Sequence, residues 1–312
     1  MKKYFIFLIL SLLPFTYQLA QGQTDSTATE PEVVANKPVR FVWESGYLID
    51  QQTSKIAPVN TLESVIQHKF GTMNNGIHDL YGIMSPGANV RIALDYVIMK
   101  NVQIGYGLQK KNMYSDFNIK WTPLEQMNEG MPVSLSFYGN VAIDGRQKED
   151  YWASQQYYHS SDDSAYTKHD FRTSNRFSYF AQATVARKFN DMLTLQGGVN
   201  FSHFNTTPWH QDHDKVGLFV GGRIKVSPQG SIIFNADFPL QIKGMSEQED
   251  YTVGPEPIVS FGYEISTSTH AFQIYVGNND TLLPQDMMLN NSYKLAWENF
   301  RVGFNITRLW GF

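Results

Sequence analysis

From about Asn60 onward, apolar and polar residues alternate along the chain with a period of two. The last segment is the clearest. Phe300, Val302, Phe304, Ile306, Arg308, Trp310 and Phe312 share one parity, and Arg301, Gly303, Asn305 and Thr307 share the other. The same split runs through Val216, Leu218, Val220, Ile224 and Val226 against Lys215, Gly217, Gly221, Arg223 and Lys225. It recurs in Val102, Ile104, Tyr106 and Leu108 against Gln103, Gly105, Gly107 and Gln109, and in Ile232, Phe234, Ala236 and Phe238 against Ser231, Asn235 and Asp237. Successive side chains of a strand point to opposite faces, so each segment predicts a strand with one apolar and one polar face.

About twelve such segments follow one another, near 60–71, 88–99, 102–110, 114–121, 131–144, 173–189, 192–205, 214–226, 230–242, 257–266, 270–278 and 298–310. Many are near the about 9–11 residues that a tilted strand needs to cross a bilayer. Short links (Lys100-Asn101, Asn190-Asp191, 227–230 and 266–269) alternate with long polar ones (72–87, 145–172, 205–213, 243–256 and 278–297). Tight turns at one end and long loops at the other predict an all-β fold, a transmembrane antiparallel up-and-down β-barrel of about twelve strands. Two links fit less well: 111–113 is short on the long-loop side, and 122–130 is long on the short-turn side. Trp121, Tyr138, Phe177, Tyr179, Phe180, Phe201, Phe204, Tyr275, Trp297 and Trp310 are expected in interfacial belts.

The region before the strands divides in two. Lys2 and Lys3, the apolar run Tyr4 to Phe15 and Ala20 before Gln21 read as a signal peptide over 1–20, too short for a permanent span. No Cys follows it, which excludes a lipid anchor. Residues 21–57 read as a periplasmic leader, and Phe41, Trp43, Tyr47 and Ile49 give its end a strand-like character. That end is expected to lie beneath the barrel or inside it as a small plug, with the barrel itself over 58–312. The terminal strand, with Phe304, Trp310 and Phe312, is the expected signal to the barrel assembly machinery. Outer-membrane lipid is the other expected partner.

Composition sharpens the picture at three points. Cysteine is absent, so no disulfide or thiol site exists. A net charge of −4 gives no ground for a nucleic-acid partner. The mean hydropathy of −0.33 looks soluble, but lumen-facing residues offset lipid-facing ones in a barrel.

The inward parity carries charges of both signs: Arg91, Asp95, Asp116, Lys120, Arg223, Lys225, Asp237, Glu264 and Arg301. They either line a narrow polar path or interlock as salt bridges that fill the interior. Imidazole and carboxylate in one loop can ligate a metal, which makes His210, Asp212 and His213 weak candidates. His159, Asp162, Asp163, His169 and Asp170 form a similar polar loop. Solvated loops are commonly this polar, and no cofactor is expected. Ser202 and His203 are adjacent in one strand and point to opposite faces, so they cannot act as a catalytic pair. No phosphate-binding or zinc-hydrolase motif occurs.

The stretches His68-Lys69-Phe70-Gly71, Asn74-Asn75-Gly76, Asp79-Leu80-Tyr81-Gly82 and Asn89 to Tyr96 carry a resemblance. So do Gly105-Tyr106-Gly107, Asp116 to Trp121 and Gly303 to Arg308. Together, from about Phe41 to the C-terminus, the chain resembles an uncharacterised membrane-bound β-barrel family of Bacteroidota, a domain of unknown function. It departs from the family pattern at Lys69, where Arg is usual, and at Gly82-Ile83-Met84, where Gly-Leu-Asp is usual. The resemblance implies an outer-membrane barrel and no catalytic residues. Three functional readings remain: a narrow channel or transporter for small polar solutes or ions, a structural or partner-binding envelope barrel, and, with least support, a membrane-embedded hydrolase.

Overall fold

Twelve strands close into one barrel, and each is built on the alternation described above. The computed structural model describes residues 36–40, 42–155, 172–207, 211–242 and 254–312. The expected signal peptide, the first part of the leader and His159 to Asp170 lie outside these residues. In chain order, a two-residue pair comes first, β1 (Tyr47–Leu48) and β2 (Gln51–Gln52). The wall follows: β3 (Thr61–Thr72), β4 (Asn89–Met99), β5 (Val102–Gln109), β6 (Ser115–Leu124), β7 (Ser134–Ile143) and β8 (Phe177–Lys188). It continues with β9 (Leu193–Phe204), β10 (Asp214–Lys225), β11 (Gly230–Leu240), β12 (Ile258–Ser266), β13 (His270–Gly277) and β14 (Arg301–Gly311). Each wall strand pairs antiparallel with its sequence neighbours, and β14 closes the ring on β3 with Ile306 opposite Ile66. Closure leaves no unpaired edge, which a strand structure in lipid requires.

Outward residues are apolar and exposed, among them Ile92, Leu94, Ile104, Phe117, Ile119, Phe261 and Ile274. Inward residues are polar and buried. Exposed apolar side chains over a buried polar interior invert the usual soluble pattern and suit lipid as the outer solvent. Of the expected belt aromatics, Trp121, Tyr179, Phe201, Trp297 and Trp310 are exposed. Tyr138, Phe180 and Tyr275 are buried, a correction to that expectation. Their parity is inward, and glycines make room for one of them: a Cβ at Gly303 would stand 2.6 Å from the Tyr275 ring. His68 lies among aromatics, stacked on Phe304 with ring centroids 5.0 Å apart.

The two irregular links have physical reasons. Residues 111–113 form a single 3₁₀ turn, in which Asn112 and Met113 take positive φ. The long link after β6 pairs with the leader: Val39 N donates to Gln126 O at 2.7 Å, and Asn128 N donates to Lys37 O at 3.0 Å. Tight turns elsewhere at this end are self-capped. Asn190 Oδ1, for example, accepts from Met192 N and Leu193 N at 2.9 and 2.8 Å.

A short helix, α1 (Lys148–Gln155), lies in the link between β7 and β8. The loop between β13 and β14 was expected to be long and polar. Instead it turns inward and carries the helix α2 (Pro284–Asn290). Pro284 begins the helix with its φ already set, and Asp286 faces the positive N-terminal end of the helix dipole. Leu282, Leu283, Met287, Met288 and Leu289 are all buried. Leu283 packs against Tyr114 and Ala142, and Met288 against Tyr138 and Phe180.

Candidate functional site: the barrel interior

Two segments occupy the space within the wall. The first is residues 42–57, which enter from the short-turn end beside Gln126 and Leu309, where Val42, Trp43, Lys55 and Ile56 border a cavity of about 310 Å³. The chain reverses at Ile49, whose φ of 54° is the positive value a tight reversal needs. Trp43, Tyr47, Leu48, Ile49, Gln51 and Thr53 are buried. Leu48 and Ile49 join Trp43, Ile233 and Tyr275 in a small apolar cluster.

Most of what holds this segment is polar. Gln51 Nε2 donates to Asp237 Oδ2 at 3.0 Å, and Gln196 Nε2 to Gln51 Oε1 at 3.1 Å. Gln273 Nε2 donates to Tyr47 O at 2.8 Å, and Asn305 Nδ2 to Ile49 O at 2.8 Å. Tyr47 OH donates to Asp95 Oδ2 at 3.1 Å. Lys120 Nζ donates to Gly46 O and to Gln52 Oε1, both at 3.2 Å. Arg223 pairs with Glu44 at 2.9 Å. The wall is notched for the segment: a Cβ on Gly221 would stand 2.6 Å from both Leu48 Cδ2 and Gln51 Oε1.

The second segment is the inward loop from Asn278 to Asn291. Gln285 Nε2 donates to Asn140 Oδ1 at 3.0 Å and to Ser178 Oγ at 3.2 Å. Gly217, two repeats of the pleat from Gly221 on the same inward face, leaves room for Met288, whose methyl a Cβ there would overlap. At the outer end, Lys111 pairs with Asp280 at 3.0 Å and Asp286 at 3.7 Å. Burial alone would lower the Lys111 pKa, but the carboxylates of Asp286 and Asp280 outweigh it and hold it above the ordinary lysine value. Burial alone would raise the Asp280 pKa, but Lys111 outweighs it and holds the carboxyl below the ordinary value. Lys111, Tyr114, Arg146, Tyr151, Arg176 and Asp286 border a cavity of about 250 Å³ at this end.

The two segments meet at Lys69 on β3. Its ammonium lies 2.7 Å from Asp50 Oδ1, donates to Thr281 O at 2.9 Å and bonds Asn279 Oδ1. Asn279 Nδ2 in turn donates to Asp50 Oδ2 at 2.9 Å. The Lys69 and Asp50 side chains are 2% and 1% exposed. Neither residue was singled out as a candidate from the charge pattern, although Lys69 shares the inward parity of Glu63 and Gln67.

The charged residues expected on the inner face are placed as follows. Arg91, Asp95, Asp116, Lys120, Arg223, Asp237, Glu264 and Arg301 are all buried. Lys225 is half-buried at the end of β10. Only Arg91 and Asp116 of this set form a direct pair, through Nε–Oδ1 at 2.9 Å and Nη2–Oδ2 at 2.6 Å. Gly107 provides the space, since a Cβ there would stand 2.6 Å from both side chains. Glu264 accepts from Gln273 at 2.7 Å, and the Arg301 guanidinium lies 3.9 Å from the Tyr293 ring centroid. Asn118 and Asn235 of the wall also bond Asp95 and Asp237, at 3.1 and 3.0 Å. Asp95, Lys120, Arg223 and Asp237 each take a further partner from residues 42–57, which the charge pattern of the strands alone could not reveal.

His210 lies outside the described residues. Asp212 pairs with Lys215 at 2.6 Å, and His213 Nδ1 lies 2.7 Å from Phe204 O. Ser202 is buried on the inner face, while His203 faces outward and bonds Asp214 at 2.6 Å, so the two are apart as their parity requires.

Residues 43–310 match the family of the membrane bound beta barrel domain (DUF5777). The chain belongs to this family. The matched region begins at Trp43, so it includes the internal segment as well as the wall. No curated protein is significantly similar to it in sequence. Among solved structures, it is similar to an outer membrane channel from Pseudomonas putida F1, at 13% identity and TM-score 0.48 over 84% of this chain and 100% of that one. It is also similar to the KdgM porin, at 6% identity and TM-score 0.42 over 81% and 99%. LpxR from Salmonella typhimurium aligns at 10% identity and TM-score 0.36 over 81% and 100%. Identities and scores this low carry no functional information.

Proposed function

We propose that this membrane barrel is an outer-membrane channel for small polar solutes or ions, held closed by its own residues 42–57 and by the loop around α2. Its placement in a Bacteroidota envelope rests on the resemblance of the first hairpins.

The observation that carries this reading is the chemistry of the interior segment's hold. Amide, hydroxyl and charged groups of the wall bind it, and only a small apolar cluster assists. Water can replace each of these partners, so a net hydrogen bond contributes only about 0.5–1.5 kcal/mol. Once the segment leaves, the wall it exposes is already polar. A permanently structural interior has no such need, and apolar packing would serve it at least as well.

The test is solute efflux from liposomes. Gly221→Leu inserts a side chain where Leu48 and Gln51 sit, with its Cβ 3.2 Å from Phe234 O of β11. The variant should release small polar solutes faster than the wild type while migrating as a folded, heat-modifiable barrel. Efflux equal to that of empty liposomes, from a folded variant shown by protease cleavage to have released the segment, would reject the channel.

A structural or partner-binding barrel is the second reading. The buried Arg91–Asp116 pair, bonded also to Gln67 and Asn140, favours it, because such a network rigidifies an interior.

A further inference from the structure

We infer that the two closures open together, coupled through Lys69, Asp50 and Asn279. This rests on the reading of both segments as closures, and it concerns how they are regulated.

Three separate parts of the chain meet at one buried point. Lys69 belongs to the wall, Asp50 to the tip of the internal segment, and Asn279 and Thr281 to the inward loop. The Asn279 side chain is bound at both ends: its oxygen accepts from Lys69, and its nitrogen donates to Asp50. Ser260 Oγ adds a bond to Asp50 Oδ2 at 3.3 Å, and Asn89 Nδ2 adds one to Asp280 O at 3.0 Å. Removing one partner of a buried ion pair leaves a charge without compensation. Withdrawal of the tip therefore leaves Lys69 buried against two neutral oxygens and deprives Asn279 of an acceptor. Water must then reach Lys69, and it competes for the same ammonium that holds Asn279 and Thr281. Withdrawal of the loop removes Asn279 from Asp50 and admits water to the ion pair from the other side. Each departure weakens the hold on the other segment, and such a coupling is reciprocal by necessity.

Glycine notches give independent handles. Gly221 faces Leu48 and Gln51 of the tip, and Gly217 faces Met288 of the loop beside the wall's own Asn200, whose Oδ1 a Cβ there would meet at 2.5 Å. A leucine at either position wedges out one segment without touching the Lys69 cluster. The chain has no cysteine, so a single introduced cysteine is the sole target for a thiol reagent. Leu282→Cys reports on the loop and Ile49→Cys on the tip, since both side chains are buried when closed.

The experiment measures the rate at which a water-soluble maleimide labels each cysteine in the folded full-length barrel. Labelling needs no ion flow, so its result stands whether or not the barrel conducts. Coupling predicts that Gly221→Leu and, separately, Asp50→Ala accelerate labelling of Leu282→Cys by about tenfold, within the usual 5–150-fold range of coupling between sites. Gly217→Leu should accelerate labelling of Ile49→Cys likewise. Replacing Lys69 with Met should abolish the effect of either wedge on the distant cysteine and preserve its effect on the near one. If both Gly221→Leu and Asp50→Ala speed labelling of Ile49→Cys while Leu282→Cys stays at its basal rate, the closures are independent and the inference is overturned. It is equally overturned if the cross-effect survives in Lys69→Met.

Discussion

At the residue scale, the interior is governed by the cost of burying charge. Arg91 and Asp116 tolerate burial because the guanidinium fork meets both carboxylate oxygens, Gln67 takes a third donor and Asn140 satisfies the acceptor side. Asp116→Ala leaves Arg91 buried and unpaired. The expected loss is about 3–5 kcal/mol of barrel stability, read from denaturant unfolding in detergent or lipid. A loss below about 1 kcal/mol, the scale of an exposed pair, would show the site to be wet. The Lys111 pairs at the outer end behave differently, because they are partly exposed. Asp280 has a lowered pKa, so its contribution is present above the ordinary carboxylate value near 4 and is lost as pH falls through the folded value. Lys111 has a raised pKa, so its contribution is full below the ordinary lysine value of about 10.4 and fades only as pH rises through the folded value. The tie thus holds from about pH 4 to about pH 10. Acidifying the outer side below about pH 4 should lengthen open times in channel recordings, and Asp280→Asn should show that lengthening already at neutral pH. Open times unaffected by either change would separate this ion pair from closure.

At the element scale, the strands were legible because period two is a local signal. All twelve expected segments coincide with wall strands, with ends displaced by a few residues, as in 298–310 against Arg301–Gly311. The inward parity of Arg91, Asp116 and Arg223 was legible for the same reason. Arg91 and Asp116, which pair with each other, both lay in that pattern, but the partners supplied by the interior segment did not. Glu44 and Asp50 lie far in sequence from Arg223 and Lys69, and nothing in a strand's own alternation records a segment that lies against it. The α2 loop was misread for a related reason. Asn278, Asn279, Asp280 and Thr281 gave it a polar look, while Leu282-Leu283-Pro284 and Met287-Met288-Leu289 were a signal of burial, with proline at a helix start. The terminal strand carries its own prediction. Phe304 packs on His68 and Phe272, and Trp310 and Phe312 are exposed at 41% and 83%. Trp310→Asp combined with loss of Phe312 should block membrane assembly. At the rim, charge costs only about 0–1 kcal/mol, so a full block would point to lost recognition by an assembly factor rather than to the cost of the charge. Folded barrel at wild-type levels in the outer membrane would count against that role.

At the scale of the whole molecule, the proposed closed channel consists of an apolar exterior, a polar wall and two interior segments. Eight-stranded barrels are filled by side chains, and barrels of sixteen strands or more leave an open water channel. Twelve strands enclose a space between these limits, too wide for the wall to fill alone, and here residues 42–57 and the α2 loop take it up. Charge in so narrow a space acts at short range with little screening, so the proposed channel would take its selectivity from the inward residues once the segments leave. Arg223→Glu would set a carboxylate against Glu44 and remove a positive charge from the wall. It should both open the barrel and shift the reversal potential toward cations. The most direct measurement is planar-bilayer conductance of the wild type beside a chain lacking residues 42–57, with Gly221→Leu as a full-length companion. The account predicts a wild type that is mostly closed with brief openings, and long-lived conducting states in both variants. Folded barrels of both variants that pass no current would contradict it.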